Sequence, residues 1–148
     1  MHHYHKEEKM NITATRYHDI CAGHRVYGHE GKCSHFHGHN YRIYFTISGL
    51  QDDLGRILDF SVIKEKLCNW LEQNWDHKFL LWENDPAIES FKKIDPDGLV
   101  VVPFNPTAEN MAKYLVEQVG INELSDTNAE LICVVVEETR KCSASYTK

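Results

Sequence analysis

The sequence NYRIYFTISG at residues 40–49 alternates between apolar and polar side chains. Every second residue from Tyr41 to Ile47 is apolar: Tyr41, Ile43, Phe45 and Ile47. In an extended chain, residues two apart point to the same side of the backbone. The stretch therefore predicts a β-strand with one buried face and one polar face.

Weaker patterns on both sides of this strand predict the rest of the fold. Strands are predicted at residues 12–22, 99–102 and 130–138, where β-branched residues are frequent. Apolar residues at helical spacing predict two helices, at residues 60–71 and 108–119. The order of these elements favours an antiparallel sheet with the helices on one face, which is an α+β fold.

Both predicted helices have a residue that can cap the N-terminus. Asp59 or Ser61 can cap the first helix, and Thr107 can cap the second. Pro106 holds the chain extended just before the second helix. The segment from Thr107 to Glu109 can thus be interpreted wholly as a capped helix start, which needs no ligand.

The length of the chain and the absence of linkers predict one domain. The chain has 148 residues, with no internal repeat and no segment rich in Pro, Gly or Ser between patterned regions. We expect a single domain over residues 1–148, in which residues 1–10 form a flexible N-terminus. The histidines of that terminus are expected to be a mobile end or a vector remnant: His2, His3 and His5.

Charge and cysteine content narrow the partners and the compartment. The net charge is −6, from 16 basic and 22 acidic residues without a basic cluster, so we expect no nucleic-acid partner. No apolar run approaches the roughly 20 residues that span a membrane. The five cysteines include no Cys-x-x-Cys pair, which favours reduced thiols and a cytoplasmic protein.

Histidines are concentrated in the sequence CSHFHGH at residues 33–39. In extended backbone, His37 and His39 can present both imidazoles to one metal ion. The third ligand is His24, if the strands pair as a hairpin, or His35, which the sequence alone does not exclude. Three neutral histidines on one ion are typical of a catalytic zinc site with an open fourth position.

Three further positions each have more than one interpretation. Cys33 is a fourth ligand, a buried bystander or a reactive thiol, because a neighbouring cation favours the thiolate. Asp76-His77 is a carboxylate that orients an imidazole, or simply a turn. Glu138 falls on the apolar face of its strand, where it needs a partner, or it lies at a frayed strand end in water.

Six motifs follow one another between residues 13 and 146. They are a histidine that closes the first strand, Cys-x-x-x-His-Gly-His, Gly-x-x-x-Asp-Phe, Asp-His-x-x-Leu, Pro-Thr-x-Glu-Asn and a terminal Glu-Thr. The matching residues are His24; Cys33, His37 and His39; Gly55, Asp59 and Phe60; Asp76, His77 and Leu80; Pro106 to Asn110; and Glu138 with Thr139. In this order the chain resembles the family of 6-pyruvoyl-tetrahydropterin synthases and 6-carboxytetrahydropterin synthases.

The resemblance implies a fold and an assembly. The tunnelling fold of this family is a four-stranded antiparallel sheet with two helices on one face. Homo-oligomers, trimers that often pair into hexamers, close such sheets into a barrel. The substrate pockets lie between subunits.

The resemblance also implies a metal centre and a base. Zinc would be bound by His24, His37 and His39. Cys33 would be the base that abstracts a proton.

Further site residues follow from the same resemblance. Asp76 and His77 would form the proton relay of the base. Glu138 would act in catalysis and anchor the amino-pyrimidine edge of the pterin, since a carboxylate accepts two parallel N–H bonds. Thr107 and Glu109 would lie near the same pocket.

Within the family, three residues between Cys33 and His37 resemble the spacer of the bacterial 6-carboxytetrahydropterin enzymes. This implies a zinc-dependent lyase that converts 7,8-dihydroneopterin triphosphate to 6-carboxy-5,6,7,8-tetrahydropterin, acetaldehyde and triphosphate in queuosine and 7-deazaguanine biosynthesis. The alternatives are a 6-pyruvoyl-tetrahydropterin synthase and a non-catalytic zinc- or pterin-binding protein. Residues 81–84 and 85–104 depart from the family pattern.

Overall fold

A long antiparallel pair of strands forms the centre of the structure, a computed structural model that describes residues 12–148. β1 spans Thr13–His24 and β2 spans His37–Ser48. Their register places His24 opposite His37. The strand predicted at residues 40–49 is confirmed, and it begins earlier, at His37.

Six strands form one mixed sheet in the order β4-β3-β1-β2-β5-β6. The other four strands are β3, Lys78–Trp82; β4, Leu99–Val102; β5, Glu130–Glu137; and β6, Ser143–Thr147. Neighbours among β1, β2, β5 and β6 are antiparallel, whereas β3 pairs in parallel with both β1 and β4.

The α+β class is confirmed, and an antiparallel set of four strands is present, but the sheet is larger than predicted. β3 was not expected, because its sequence KFLLW does not alternate and its central Leu80 and Leu81 are both buried. β6 is a short edge strand, and the small residues at the start of its sequence SASYT carry little strand signal. The predicted strand at residues 99–102 is present as β4, where it pairs in parallel at the sheet edge.

Three helices complete the structure. α1 covers residues 60–74, in the segments Phe60–Ile63, Lys64–Cys68 and Asn69–Asn74; α2 is Ile88–Ile94; and α3 covers residues 108–123, in the segments Ala108–Tyr114, Leu115–Gly120 and Ile121–Glu123. The middle segments of α1 and α3 are π-helical. Asp59 caps α1 and Thr107 caps α3, each by accepting a backbone N–H, so both predicted helix starts are confirmed.

The sheet has one covered face and one open face. The alternating apolar residues of β2 are 0–1% exposed and pack in the same core as the buried residues of α1 and α3. Burying each such side chain contributes about 1.5–3 kcal/mol. We call this the helix-covered face. The opposite or open face carries Tyr17, Asp19, Cys21, Asn40 and Arg42.

The expected flexible terminus at residues 1–10, with its three histidines, lies outside the described residues. Within residues 12–148, no helix has the length and apolar character to cross a membrane.

Candidate metal centre and active site

Three histidines meet at the end of the helix-covered face where β1 ends and β2 begins. The antiparallel register brings His24 opposite His37, and His39 lies two residues further along the same side of β2. One nitrogen of each imidazole lies within 4.8 Å of the others. The Nε2 atoms of His24 and His37 are 3.1 Å apart. Of the two open choices for a third ligand, the fold brings His24 into this group.

His35 contributes through its backbone instead of its side chain. Its carbonyl oxygen accepts a hydrogen bond from Nδ1 of His37 at 2.7 Å, while its side chain is exposed. His24 is held in the same way, because its Nδ1 donates to the carbonyl oxygen of Pro106 at 2.6 Å. A neutral imidazole that donates from Nδ1 keeps a lone pair on Nε2. His24 and His37 therefore direct two lone pairs toward each other.

This arrangement fits a tetrahedral cation. Two lone pairs at 3.1 Å repel unless a proton or a metal ion lies between them. Zn–N bonds of about 2.0–2.1 Å in a tetrahedral site place two nitrogens roughly 3.3 Å apart. The Nε2 atom of His39 is buried and, among the described residues, has no hydrogen-bond partner. The residues thus fit a zinc ion that uses three nitrogens.

Burial lowers the pKa of two of the three histidines. It lowers the pKa of His24 to about 4, although the hydrogen bond to Pro106 opposes this. Burial also lowers the pKa of His39, against the opposing charge of Glu138. His24 is consequently neutral near pH 7, which is the state that binds a metal ion.

Glu138 lies beside this group, directly after β5. Its Oε1 atom is 3.4 Å from Nε2 of His39, and only part of its side chain is exposed. Its backbone N–H donates to the carbonyl oxygen of Cys142 at 3.1 Å, so the strand end is held and not frayed. Glu138 is thus a partly buried carboxylate beside His39 at an ordered strand end.

Cys33 lies in the turn Lys32–Ser34, within the loop that joins β1 to β2. Its carbonyl oxygen accepts a hydrogen bond from Val26 N–H at 2.8 Å, and the residue is half-buried. Cys33 does not belong to the group of converging metal-ligand atoms. The pKa of the buried Tyr41 is raised by burial and then by the nearby Glu138 and Cys33. Cys33 thus lies in the loop that leads into the metal-ligand strand, outside the group of three converging imidazoles.

Asp76 and His77 form a contact, but on the open face. Nδ1 of His77 lies 2.9 Å from Oδ2 of Asp76. Asp76 also accepts the backbone N–H of Cys21 at 2.9 Å, and His77 N–H donates to the Cys21 carbonyl oxygen at 2.6 Å. His77 has a positive φ of 59°, which is uncommon for a residue other than glycine. The dipeptide forms a turn in which the carboxylate contacts the imidazole.

A cavity of about 620 Å³ on the open face is lined by Asp76 and His77 together with Cys21, Asn40 and Arg42. These last three residues alternate with the residues that face the core. The histidine group, by contrast, shares the side of the sheet that α1 and α3 cover. His77 also lines a second cavity, of about 500 Å³, together with His37 and His39, so residues of both groups border this space.

The Pro-Thr-x-Glu-Asn motif supports the metal centre instead of lining it with side chains. The Pro106 carbonyl oxygen orients His24, and Thr107 Oγ1 caps α3 by accepting Asn110 N–H at 3.1 Å. Asn110 Nδ2 donates to the carbonyl oxygen of Asn105 at 3.0 Å. Glu109 is exposed in the first turn of α3, without an ion pair or hydrogen bond in residues 12–148. The resemblance placed Thr107 and Glu109 near the substrate, and these contacts neither require nor test that role.

Sequence reasoning missed two groups beside the centre. The hydroxyl of the buried Tyr41 lies 3.3 Å from Nδ1 of His24. Arg25, which follows His24, forms an ion pair with the buried Asp85. The position of Tyr41, two residues after His39, was a usable signal. Nothing in the local sequence links Arg25 to Asp85, which lies 60 residues away.

Fold and site together define a class: an α+β protein with a candidate three-histidine metal centre at one end of its sheet. The family model described as 6-pyruvoyl tetrahydropterin synthase matches residues 13–148. The chain belongs to this family and is an enzyme of it.

Relatives and solved structures agree with this assignment. The chain is 34% identical over 133 residues to 6-carboxy-5,6,7,8-tetrahydropterin synthase of Rickettsia typhi, covering 88% of this chain and 96% of that protein. It is 34% identical over 139 residues to a probable 6-carboxy-5,6,7,8-tetrahydropterin synthase of Halobacterium salinarum, covering 93% and 88%.

An uncharacterized protein of Wolinella succinogenes has a similar structure, with a TM-score of 0.76 at 22% identity over 93% of this chain and 98% of that one. A catalytic-residue mutant of Plasmodium vivax 6-pyruvoyltetrahydropterin synthase gives a TM-score of 0.69 at 21% identity over 93% and 99%. These two similarities establish the tunnelling fold of the family.

Proposed function

We propose that this enzyme is a zinc-dependent lyase of queuosine and 7-deazaguanine biosynthesis. It converts 7,8-dihydroneopterin triphosphate, with uptake of water, to 6-carboxy-5,6,7,8-tetrahydropterin, acetaldehyde and triphosphate. The observation that carries the proposal is the convergence of three imidazole nitrogens beside a carboxylate. Relatives at 34% identity named 6-carboxy-5,6,7,8-tetrahydropterin synthase support this substrate and product.

Each residue of the centre has a chemical task in this proposal. His24, His37 and His39 bind the zinc ion, which supplies a Lewis acid that stabilises negative charge on substrate oxygens. Cys33 accepts a proton from the substrate side chain. Glu138 accepts two N–H bonds from the amino-pyrimidine edge of the pterin.

The proton relay comes from a second copy of the chain. His77, oriented by Asp76, lies on the open face, while Cys33 lies in the loop that joins β1 to β2. In the proposed enzyme, the relay joins Cys33 of one subunit to His77 of its neighbour. We therefore propose a homo-oligomer, a trimer or a hexamer, of cytoplasmic single-domain subunits, with the substrate bound between neighbours. Thr107 and Glu109 are proposed to lie at the edge of that pocket.

One incubation tests the reaction. Purified zinc-loaded protein is mixed with 7,8-dihydroneopterin triphosphate, and the products are identified by mass spectrometry with a separate assay for acetaldehyde. Release of acetaldehyde together with the carboxylated pterin supports the proposal. Triphosphate release with a pyruvoyl product identifies a 6-pyruvoyl-tetrahydropterin synthase instead. Unchanged substrate points to a binding protein.

A further inference from the structure

A bidentate ion pair joins the end of β1 to the segment that follows β3. Nε and Nη2 of Arg25 donate to the two carboxylate oxygens of Asp85 at 2.7 and 2.5 Å. The Asp85 side chain is fully buried, whereas that of Arg25 is 20% exposed. Asp85 also accepts the backbone N–H of Ala87 at 2.8 Å, so its position is fixed from two directions.

The same guanidinium group contacts the loop between β1 and β2. Its central carbon lies 4.8 Å from the ring centre of Phe36 and 5.4 Å from that of Tyr27. Phe36 directly precedes the metal-ligand candidate His37 and packs against Phe79 at 5.5 Å. Arg25 thus contacts both ends of the loop at once.

Cys33 depends on this loop for its position. The residue after Arg25 is Val26, and its backbone N–H donates to the Cys33 carbonyl oxygen at 2.8 Å. Asn105 adds a second attachment, because its side chain donates to the Tyr27 carbonyl oxygen at 2.9 Å and accepts Tyr27 N–H at 3.2 Å. Asp85 and Asn105, which hold Arg25 and Tyr27, both lie after β3.

We propose that Arg25, held by Asp85, is a positioning residue that sets the placement of the Cys33 thiol relative to the metal centre. This inference rests on the proposed function, in which Cys33 is the base. The planar guanidinium can bind a carboxylate with two parallel bonds while its faces contact aromatic rings, and an ammonium group cannot. Residues 85–104 depart from the family pattern, and Asp85 is the first residue of this segment. In this proposal the segment has a function, which is to hold Arg25.

The test is the variant Arg25→Lys, which keeps the positive charge but cannot form the two parallel hydrogen bonds to Asp85. We expect a wild-type zinc content, a KM within about threefold of wild type and a kcat lower by roughly 10–100-fold, because a small misplacement of a catalytic group has effects of this size. The rate of Cys33 alkylation by iodoacetamide, followed by peptide mass spectrometry, should change as well. Arg56→Lys is the matched control, because Arg56 bridges Asp52 and Asp59 on an exposed loop.

A second variant tests the same ion pair in case Arg25→Lys does not fold. Asp85→Asn keeps the shape of the side chain and removes its charge, and the same effects on kcat and alkylation are expected. Wild-type kcat and alkylation in folded Arg25→Lys protein would overturn the inference, as would loss of zinc from that variant. Alkylation does not require turnover, so a wild-type protein that fails to convert the substrate would contradict the proposed function alone.

Discussion

Nδ1 of His24 lies 2.6 Å from the carbonyl oxygen of Pro106. This distance requires a donated N–H, which fixes the tautomer and turns the lone pair of Nε2 toward the other two histidines. A backbone carbonyl just before α3 therefore prepares a ligand at the end of β1.

Replacing His24 with alanine should remove the metal. The variant loses one of three nitrogens, and we expect zinc content, measured by atomic emission after gel filtration, to fall from about one ion per subunit to near zero. His35→Ala is the control, because the His35 side chain is exposed and only its carbonyl oxygen contacts His37. Equal zinc content in the two variants would contradict the assignment of His24.

Replacing Cys33 with alanine should abolish turnover and leave zinc bound. A positioned general base contributes roughly 10²–10⁴-fold to a rate, so kcat should fall by that factor. The exposed Cys142, replaced in the same way, serves as control. Loss of zinc from Cys33→Ala would show that Cys33 is a ligand instead of the base.

Mixing inactive variants should restore activity. In the proposed oligomer, Cys33 and His77 of one site come from different subunits, so some interfaces in a mixture of Cys33→Ala and His77→Ala combine an intact Cys33 with an intact His77. With random assembly about a quarter of the sites are complete. Turnover is measured after the two proteins are unfolded and refolded together.

A matched mixture provides the control for this experiment. Cys33→Ala and His37→Ala remove groups from the same side of one chain, so their hybrids contain no complete site. Recovery in this second mixture, or its absence in the first, would rule out a relay between subunits.

Gly23→Ala should destabilise the protein. A β-carbon at Gly23 would overlap the ring of Phe79, which pairs with it across β1 and β3. Overpacking of this kind costs about 1–3 kcal/mol in unfolding free energy. Thermal unfolding measures the effect, with Gly31→Ala as control, since its new methyl would meet only the exposed His29. Equal melting temperatures for the two variants would contradict the prediction.

The Asp85 carboxylate should make stability depend on pH. Burial raises the pKa of Asp85, but hydrogen bonds from Arg25 and Ala87 lower it by more, so it lies below its ordinary value of 3.8. The unfolded chain then binds this proton at higher pH than the folded protein does. The stabilisation is therefore complete above about pH 4 and is lost as the pH falls through the folded-state pKa.

Urea unfolding of the wild type and Asp85→Asn tests this dependence. We expect the variant to be less stable by about 3 kcal/mol near neutral pH, since it leaves Arg25 without its charged partner. The difference should shrink below about pH 4. A difference that stays constant throughout the acid range would show that the charge of Asp85 does not stabilise the fold.

A local sequence pattern was sufficient to predict the strands and helices whose apolar side chains recur at a regular spacing. The alternation at residues 40–49 predicted β2, and Thr107 predicted the start of α3. The pair His37 and His39 could be placed on one side of a strand because residues two apart always share a side. β3 escaped prediction because a buried parallel strand has no polar face to create a period.

By itself, the sequence determined the α+β class, the central strand and the two neighbouring imidazoles, since backbone geometry dictates these over a few residues. Only the tertiary structure chose His24 over His35, placed Asp76 and His77 on the open face and joined Arg25 to Asp85. Such pairings link residues as many as 60 positions apart. They depend on which surfaces pack together, and no local period in a sequence records that.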